Sequence, residues 1–243
     1  MIATVVNALA ILLGGLIGLI LKSKLKKEMC EALLRTIGIV VIIIGLSGAL
    51  KSMFVIEQEI LKTQFELLLL ICLSLGALLG TLLKIDGNIT KFGNYVEVKL
   101  NKGAFSEGFV TSTLIFCVGA MSIFGSVQAA VGDYNVLFLK SAIDGVAAML
   151  LASTLGFGVL FSAISVLIYQ GAFTIIALFA TDFLTETEFL NAFCLVGYVI
   201  VMCIGINFLF DHLNNYKKIK IADMLPSLLL VIIYFIFKNL IGF

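Results

Sequence analysis

The chain has 243 residues, 61% of them hydrophobic and 13% charged, with a formal net charge of +1 and a mean hydropathy of +1.18. A water-soluble domain of that composition would expose a very large apolar surface, so it reads as an integral membrane protein, with the lipid bilayer as its first partner. Phosphate binding needs clustered Lys and Arg, whereas the basic residues here lie in short loops, which excludes nucleic acid as a partner.

A crossing of the hydrocarbon core takes about 20 apolar residues. On that ruler eight spans are predicted, near Ile2–Leu21, Thr36–Leu50, Phe65–Leu83, Gly108–Ala130, Val136–Leu155, Gly158–Ala180, Phe189–Phe210 and Ile221–Ile241. The second is short and the gap between the fifth and sixth is small, so a seven-span alternative stays open. The first run has no basic residue before it and four lysines after it, the reverse of a signal peptide, and is expected to be retained.

Loop charge supports the count. With the amino terminus outside, the inner loops hold Lys22, Lys24, Lys26, Lys27, Arg35, Lys84, Lys91, Lys99, Lys102, Lys217, Lys218 and Lys220, whereas the outer ones keep only Lys51, Lys62 and Lys238. Basic residues accumulate on the cytoplasmic side of short loops, so both termini are expected outside. The outer loop Thr181–Glu188 is purely acidic in its charges. Lys84–Lys102 mixes Phe92, Tyr95, Val96, Val98 and Leu100 with charges and reads either as an interfacial helix or as a solvated loop.

Glycine is the main packing device, with 22 residues against one proline. Gly14-x3-Gly18 and Gly76-x3-Gly80 read as helix-packing faces within the molecule rather than as dimer motifs. A weak repeat relates spans one to three to spans six to eight: Gly38 and Gly45 in RTIGIVVIIIGLSGAL against Gly197 and Gly205 in CLVGYVIVMCIGINFL. The starts of the two units are five spans apart, so they would be inverted, a common construction of secondary transporters. The expected organisation is one transmembrane domain, with a first repeat unit over 1–83, an interfacial segment over 84–104, a central polar helix pair over 105–157 and a second unit over 158–243.

Chemistry-bearing residues concentrate in the middle of the chain. Span five places Lys140 and Asp144 four residues apart inside an otherwise apolar helix, where a charge costs roughly 2.5–3.5 kcal/mol and marks a site by default. On a helix they share one face and can pair. Either the pair locks helix packing, or Asp144 exchanges a proton or cation while Lys140 holds an anionic group or serves as counter-ion. Span four carries Thr111, Ser112, Thr113, Cys117, Ser122, Ser126 and Gln128, with Cys117, Met121, Phe124 and Gln128 expected on one stripe of a continuous helix. Ser153, Thr154, Gly156 and Gly158 make a glycine-rich turn after span five, and span six carries Tyr169, Gln170 and Gly171. Asn7, Asn191 and Asn207 complete an amide set whose members more often pack helices than bind ligands.

Cys30, Cys72, Cys117, Cys194 and Cys203 form no CxxC pair, so neither a disulfide framework nor a zinc site is expected. His212, beside Asp211 at a helix end, reads as a solvated interface residue. No nucleophile with its base is evident, so the chain is not expected to be an enzyme or to need a cofactor.

The stretches TVVNALAILLGGLIGLILK (Thr4–Lys22), GFVTSTLIFCVGAMSIFGS (Gly108–Ser126) and KSAIDGVAAMLLASTLGFGVLFSAISVLIYQG (Lys140–Gly171) resemble a family of uncharacterised bacterial inner-membrane proteins typified by YqgA and YdfK and catalogued as a domain of unknown function. The resemblance implies a multi-pass plasma-membrane protein of bacteria of a kind often described as a transporter, and it carries over no binding residues.

The sequence thus predicts an all-α polytopic bundle. The expected function is transport of a small solute or ion at a site formed by Lys140, Asp144, Cys117, Gln128, Ser153, Thr154, Tyr169 and Gln170. The alternative is a non-transporting assembly or regulatory protein in which Lys140 and Asp144 are structural, and homo-oligomerisation is left open.

Overall fold

The computed structural model describes the backbone of the whole chain except residues 24–25, 58, 101–104, 118–119, 131, 186, 211–212, 214–215 and 242–243; side chains are also left out at 27, 30, 57, 92–94, 96–100, 120, 124, 178–185 and 239–241. The expectations for His212, for Cys30 and for most apolar side chains of the interfacial segment therefore lie outside the described residues. Ten helices follow in order among the described residues: α1 (Ile2–Lys22), α2 (Lys27–Met53), α3 (Glu66–Leu82), α4 (Ile85–Leu100), α5 (Phe105–Cys117), α6 (Ala120–Ala130), α7 (Asn135–Leu155), α8 (Gly158–Thr185), α9 (Thr187–Phe210) and α10 (Pro226–Ile241). A 3-10 turn, Ile221–Met224, precedes α10.

Two compact units form, one from Met1–Thr36 with Ile89–Thr185, the other from Ile37–Asn88 with Glu186–Phe243. Within the first, α1 is inside-out relative to a soluble helix. Its buried face is small or polar (Ala3, Thr4, Asn7, Ala8, Gly14, Gly15 and Gly18, with Ile11), whereas Ile2, Val5, Leu9, Leu13, Leu16, Ile17 and Ile20 are exposed. That arrangement suits a solvent of lipid tails, where close backbone packing rather than apolar burial holds helices together.

The small face lies along α7. A Cβ on Gly14 would meet the Gly145 carbonyl oxygen at 2.0 Å, and one on Gly18 the Met149 oxygen at 2.2 Å. Both contacts advance in the same direction along the two helices, and Lys22 Nζ continues the register by donating to the Thr154 carbonyl at 2.9 Å. Hence α1 and α7 run parallel. On its other side α1 meets α8 with Gly15 at Leu160 and Met1 near Gly171, so α8 runs antiparallel.

The fourth span is broken. α5 and α6 meet at 76° across residues 118–119. α5 nonetheless starts beside the α7–α8 turn, where Gly158 faces the Phe105 carbonyl and Gly108 faces that of Leu155. α6 ends beside the starts of α1 and α7, where Ala129 packs with Ala3 and Leu137. The pair therefore travels the full length of α7 in the opposite direction and is a bent crossing, not a re-entrant loop.

By length and composition six helices can cross a membrane, and up to eight if each bent pair is one crossing, a range that contains both the eight-span and the seven-span expectation. In the second unit α2 is antiparallel to α9, with Gly38 at Gly205 and Gly48 at Tyr198, and α3 is antiparallel to the α10 segment, with Gly76 at Ser227 and Gly80 at Asp223. Both small-x3-small motifs thus pack inside the molecule, as the sequence led us to expect.

Four local expectations change. The second helix runs over Lys27–Met53, well beyond Thr36–Leu50, and leads into a two-stranded antiparallel hairpin, β1 (Phe54–Glu57) with β2 (Ile60–Thr63), in which Val55 pairs with Lys62 and Ile56 with Leu61. The β-branched residues Val55, Ile56, Ile60 and Thr63 favour strands there, and Glu59 supplies the left-handed turn residue at φ 65°. Lys84, at φ 52°, ends α3 and starts α4 at 50° to it, so the interfacial segment is helical. Helix α8 continues through Thr185 and α9 begins at Thr187, where a loop over Thr181–Glu188 was expected. Finally, the break after Cys117 takes Cys117 and Gln128 off a common stripe. In this region the hydroxyls bond backward, Ser112 to Gly108 O at 2.6 Å and Ser126 to Ser122 O at 2.5 Å, while Ser122 spans the break to Phe116 O at 2.7 Å. Back-bonding hydroxyls of this kind bend helices.

Candidate functional site

The centre of the first unit is a closed charge cluster. Lys140 Nζ lies 2.9 Å from Asp144 Oδ1 and 2.8 Å from Oδ2, one turn apart on α7, and the two residues are 6% and 4% exposed. Asn7 of α1 supplies a third member, its Nδ2 donating to Asp144 Oδ2 at 3.0 Å. An ionised carboxylate only accepts, so the amide must turn its N–H groups toward Asp144, and Asn7 Oδ1 then points away, buried and without a partner. Burying a charge pair is favourable only when further hydrogen bonds satisfy its remaining lone pairs, and Asn7 supplies one of these.

Asn7 reaches Asp144 because of helical periodicity. It shares a stripe with Gly14 and Gly18, the residues that bring α1 against the α7 backbone. Among the polar residues, Asn7 was assigned only to the general amide set by the sequence. The signal that places it at the pair is the small-residue stripe on which it stands.

Other predicted residues divide into two groups. The Cys117 thiol, at the end of α5 where the crossing breaks, lies close enough to Lys140 and Asp144 to feel both charges. Gln128, next to Ala129 in the cluster with Ala3 and Leu137, sits at the level of the first turns of α1 and α7, and its Oε1 is buried without a partner. Gln170 of α8 is fully buried and neither its Oε1 nor its Nε2 has a partner; its neighbour Gly171 faces Met1, which puts Gln170 level with the start of α1. Tyr169 is half-buried there, with its ring 4.8 Å from that of Phe173. Thr4, which the sequence did not single out, shares with Gly15 the stripe of α1 that faces α8; its hydroxyl is buried and unpartnered. Polar groups therefore descend from the start of α1 (Thr4, Gln128, Gln170) to Asn7 and the charge pair.

Ser153 and Thr154 are not brought to this cluster. They lie about 14 Å further along α7 at 1.5 Å per residue. Their hydroxyls bond back to Leu150 O at 2.7 Å and Leu151 O at 3.0 Å, and Lys22 caps the helix end there. A cation at a helix carboxyl terminus is favourable, and Gly156, at φ 85°, leaves room for it. Phe105, Phe157 and Phe161 close that end with edge-to-face contacts, Phe105 and Phe161 at 5.0 Å and Phe157 and Phe161 at 5.4 Å between ring centres.

The second unit uses its buried polar groups as clamps. Asn207 Oδ1 accepts from the Tyr216 hydroxyl at 2.8 Å and from Ile219 N at 2.9 Å, while its Nδ2 donates to Ile219 O, so this amide holds the chain that follows α9. Asp223, 4% exposed, accepts from the backbone N–H of Asp86 at 2.9 Å and caps the start of α4 from the 3-10 turn. Partial burial, followed by the neighbouring Asp223 charge, pushes the Asp86 carboxyl above its ordinary range, with Lys220 opposing. Among the described residues no group of three or more His, Cys, Asp or Glu side chains gathers to hold a metal ion.

Comparison with known proteins agrees with this architecture. Residues 2–236 match the family model described as "Protein of unknown function (DUF554)". The chain is 31% identical over 233 residues to the "Uncharacterized membrane protein YdfK" of Bacillus subtilis (strain 168), covering 95% of this chain and 93% of that one. It is 27% identical to the "Uncharacterized protein YqgA" of Escherichia coli (strain K12), covering 93% and 92%. No solved structure matches it significantly. With nearly its whole length matched, this chain belongs to the DUF554 family.

Proposed function

We propose that this protein is a secondary transporter or channel for a small solute or ion, with its site at Lys140, Asp144 and Asn7. The observation that carries the reading is the buried Lys140–Asp144 ion pair in the unit whose fourth apolar segment is bent between α5 and α6. Broken helices at membrane depth occur where they line a site or a wet cavity, and intramembrane charges mark substrate and ion pathways. The excess of basic residues in alternate loops supports a bacterial plasma-membrane protein with both termini outside. An inverted repeat of spans one to three and six to eight would fit the same reading, and the make-up of each compact unit is compatible with it: α1 with α8 in one, α2 and α3 with α9 and α10 in the other. The test is flux into proteoliposomes against a panel of monovalent cations, amino acids and small organic acids. Solute entry above protein-free vesicles, lost in a folded Asp144→Asn variant, is expected. The reading fails with no flux for any member of the panel, or with flux that Asp144→Asn leaves intact.

A second reading rests on the closure of the same cluster. Asp144 is held on both oxygens by Lys140 and Asn7, as a static lock in a non-transporting assembly or regulatory protein would be. It requires only that the pair exist, so the exchanged variant Lys140→Asp with Asp144→Lys would keep fold and cellular role; in the transporter it would fold and be inactive.

A further inference from the structure

Buried polar atoms without partners are costly, about 1–3 kcal/mol each, and one unit of this molecule holds several at one level. In the first unit they include Thr4 Oγ1, Asn7 Oδ1, Thr113 Oγ1, Gln128 Oε1 and both amide atoms of Gln170. Thr4, Asn7 and Gln170 are fully buried. Five of these six atoms are oxygens, and one of them, Asn7 Oδ1, belongs to an amide that is bonded to the Asp144 carboxylate.

That inventory selects a ligand class. An anion would need donors and would be repelled by Asp144; Gln170 Nε2 and the two threonine hydroxyls can donate, whereas Asn7 Oδ1, Gln128 Oε1 and Gln170 Oε1 only accept. Neutral carbonyl and hydroxyl oxygens beside a carboxylate suit a hard cation. A single carboxylate, with no group of three or more His, Cys, Asp or Glu side chains among the described residues, suits charge +1 rather than +2.

We propose that Thr4, Asn7 and Gln170 form a site for one monovalent alkali cation, placed beside Asp144 and facing the gap between α1 and α8. Three observations converge on it. Asn7 Oδ1 is turned away from Asp144 by the amide's own hydrogen bond, so it lies next to the carboxylate but is not used by it. Thr4 stands one turn above Asn7 on the stripe that faces α8. Gln170 lies on α8 at the same level, next to Gly171 at Met1, and both its amide atoms are buried without partners. The Lys140 ammonium, on both carboxylate oxygens, holds Asp144 while no cation is bound and competes with one for it.

This deepens the transporter reading and rests on it, but its test reads binding rather than flux. The full chain, purified in detergent, is melted by far-ultraviolet circular dichroism in lithium, sodium, potassium or choline chloride at matched ionic strength. Radioactive sodium and rubidium binding is measured in parallel. A ligand that binds only the folded state raises the melting temperature in step with its saturation. At least one alkali cation is expected to stabilise saturably where choline does not. Gln170→Leu and Thr4→Val should each weaken that binding about tenfold, whereas Gln170→Glu, which adds a carboxylate, should tighten it. Lys140→Met, which removes the competitor, should tighten it as well. A purely packing role for Gln170 would make the Leu and Glu variants move together. The proposal is overturned if lithium, sodium and potassium all behave as choline does, or if binding is indifferent to Gln170 and Thr4. Transport without alkali-cation binding would remove this site and leave the transporter standing; binding without transport would do the reverse.

Discussion

Replacing Gly14 by alanine tests the link between backbone packing and the charge cluster. The new Cβ would meet the Gly145 carbonyl oxygen at 2.0 Å and its carbon at 2.9 Å, both backbone atoms that cannot rotate aside. Ordinary contact begins at 3.4 Å, so α1 and α7 would have to part by about 1.4 Å at that point. Asn7 stands two turns away on the same stripe, and its 3.0 Å bond to Asp144 would not survive that separation. Overpacking costs about 1–3 kcal/mol, and an unmet buried hydrogen-bonding group about as much again. A loss of about 3 kcal/mol corresponds to roughly 6–12 °C in a chain of this size. The melting temperature in detergent, followed by circular dichroism because the chain has no tryptophan, reads the loss. Gly171→Ala is the control, since its Cβ would find only Met1 Cε at 3.8 Å and should change little. Equal melting temperatures for the two variants would refute the claim that the glycine stripe holds Asn7 on Asp144.

Further measurements address the other polar groups. Lys140→Met leaves the Asp144 carboxylate buried without its ammonium and should cost about 3–5 kcal/mol, while adding Asp144→Leu should recover most of it; a double-mutant cycle with no coupling would contradict the pairing. Asp223→Ala removes the cap on α4 and should cost about 1 kcal/mol in thermal melts. The Asp86 carboxyl is raised in the fold by burial and then by Asp223, so the folded state holds its proton more tightly than the unfolded chain does. Its contribution is therefore present at low pH and is lost as pH rises through the folded value. Asp86→Asn should make the melting temperature higher above the ordinary carboxylate range and less dependent on pH there, and an unchanged profile would contradict this. Asn207→Ala releases the chain around Tyr216 and Ile219, and limited trypsin digestion should cut faster at Lys217 and Lys218 than in the parent protein.

Much of the membrane architecture was legible because it depends on local quantities. Apolar run length located the helices that can cross a membrane, six of them or up to eight with the bent pairs, and small-residue spacing identified Gly14 with Gly18 and Gly76 with Gly80 as packing faces. Helical periodicity put Lys140 and Asp144 within reach of one another, and the structure joins them. What failed locally failed at glycine- and hydroxyl-rich segments. The Cys117–Gln128 stripe assumed an unbroken helix, and the 76° break removes that premise. The hairpin after α2 is too short, at four residues a strand, to stand out beside the apolar runs that flank it.

Ser153 and Thr154 show a related limit. In sequence they are polar residues in a membrane span, like Asp144, but their hydroxyls are satisfied by their own helix, whereas the Thr4 hydroxyl and the Gln170 amide find no partner. Composition records that a group is polar, and only the surrounding backbone decides whether its hydrogen bonds are filled.

The sequence by itself determined that this is a multi-pass membrane protein with a buried lysine and aspartate on one helical face, because hydropathy, run length and a four-residue spacing are properties of neighbouring residues. The tertiary structure alone decided that Asn7 completes the pair and that α5 and α6 make one bent crossing. It also decided that the unfilled oxygens gather near the start of α1. Each of these joins residues more than a hundred positions apart, or turns on the directions in which helices pack, and no local pattern carries that information.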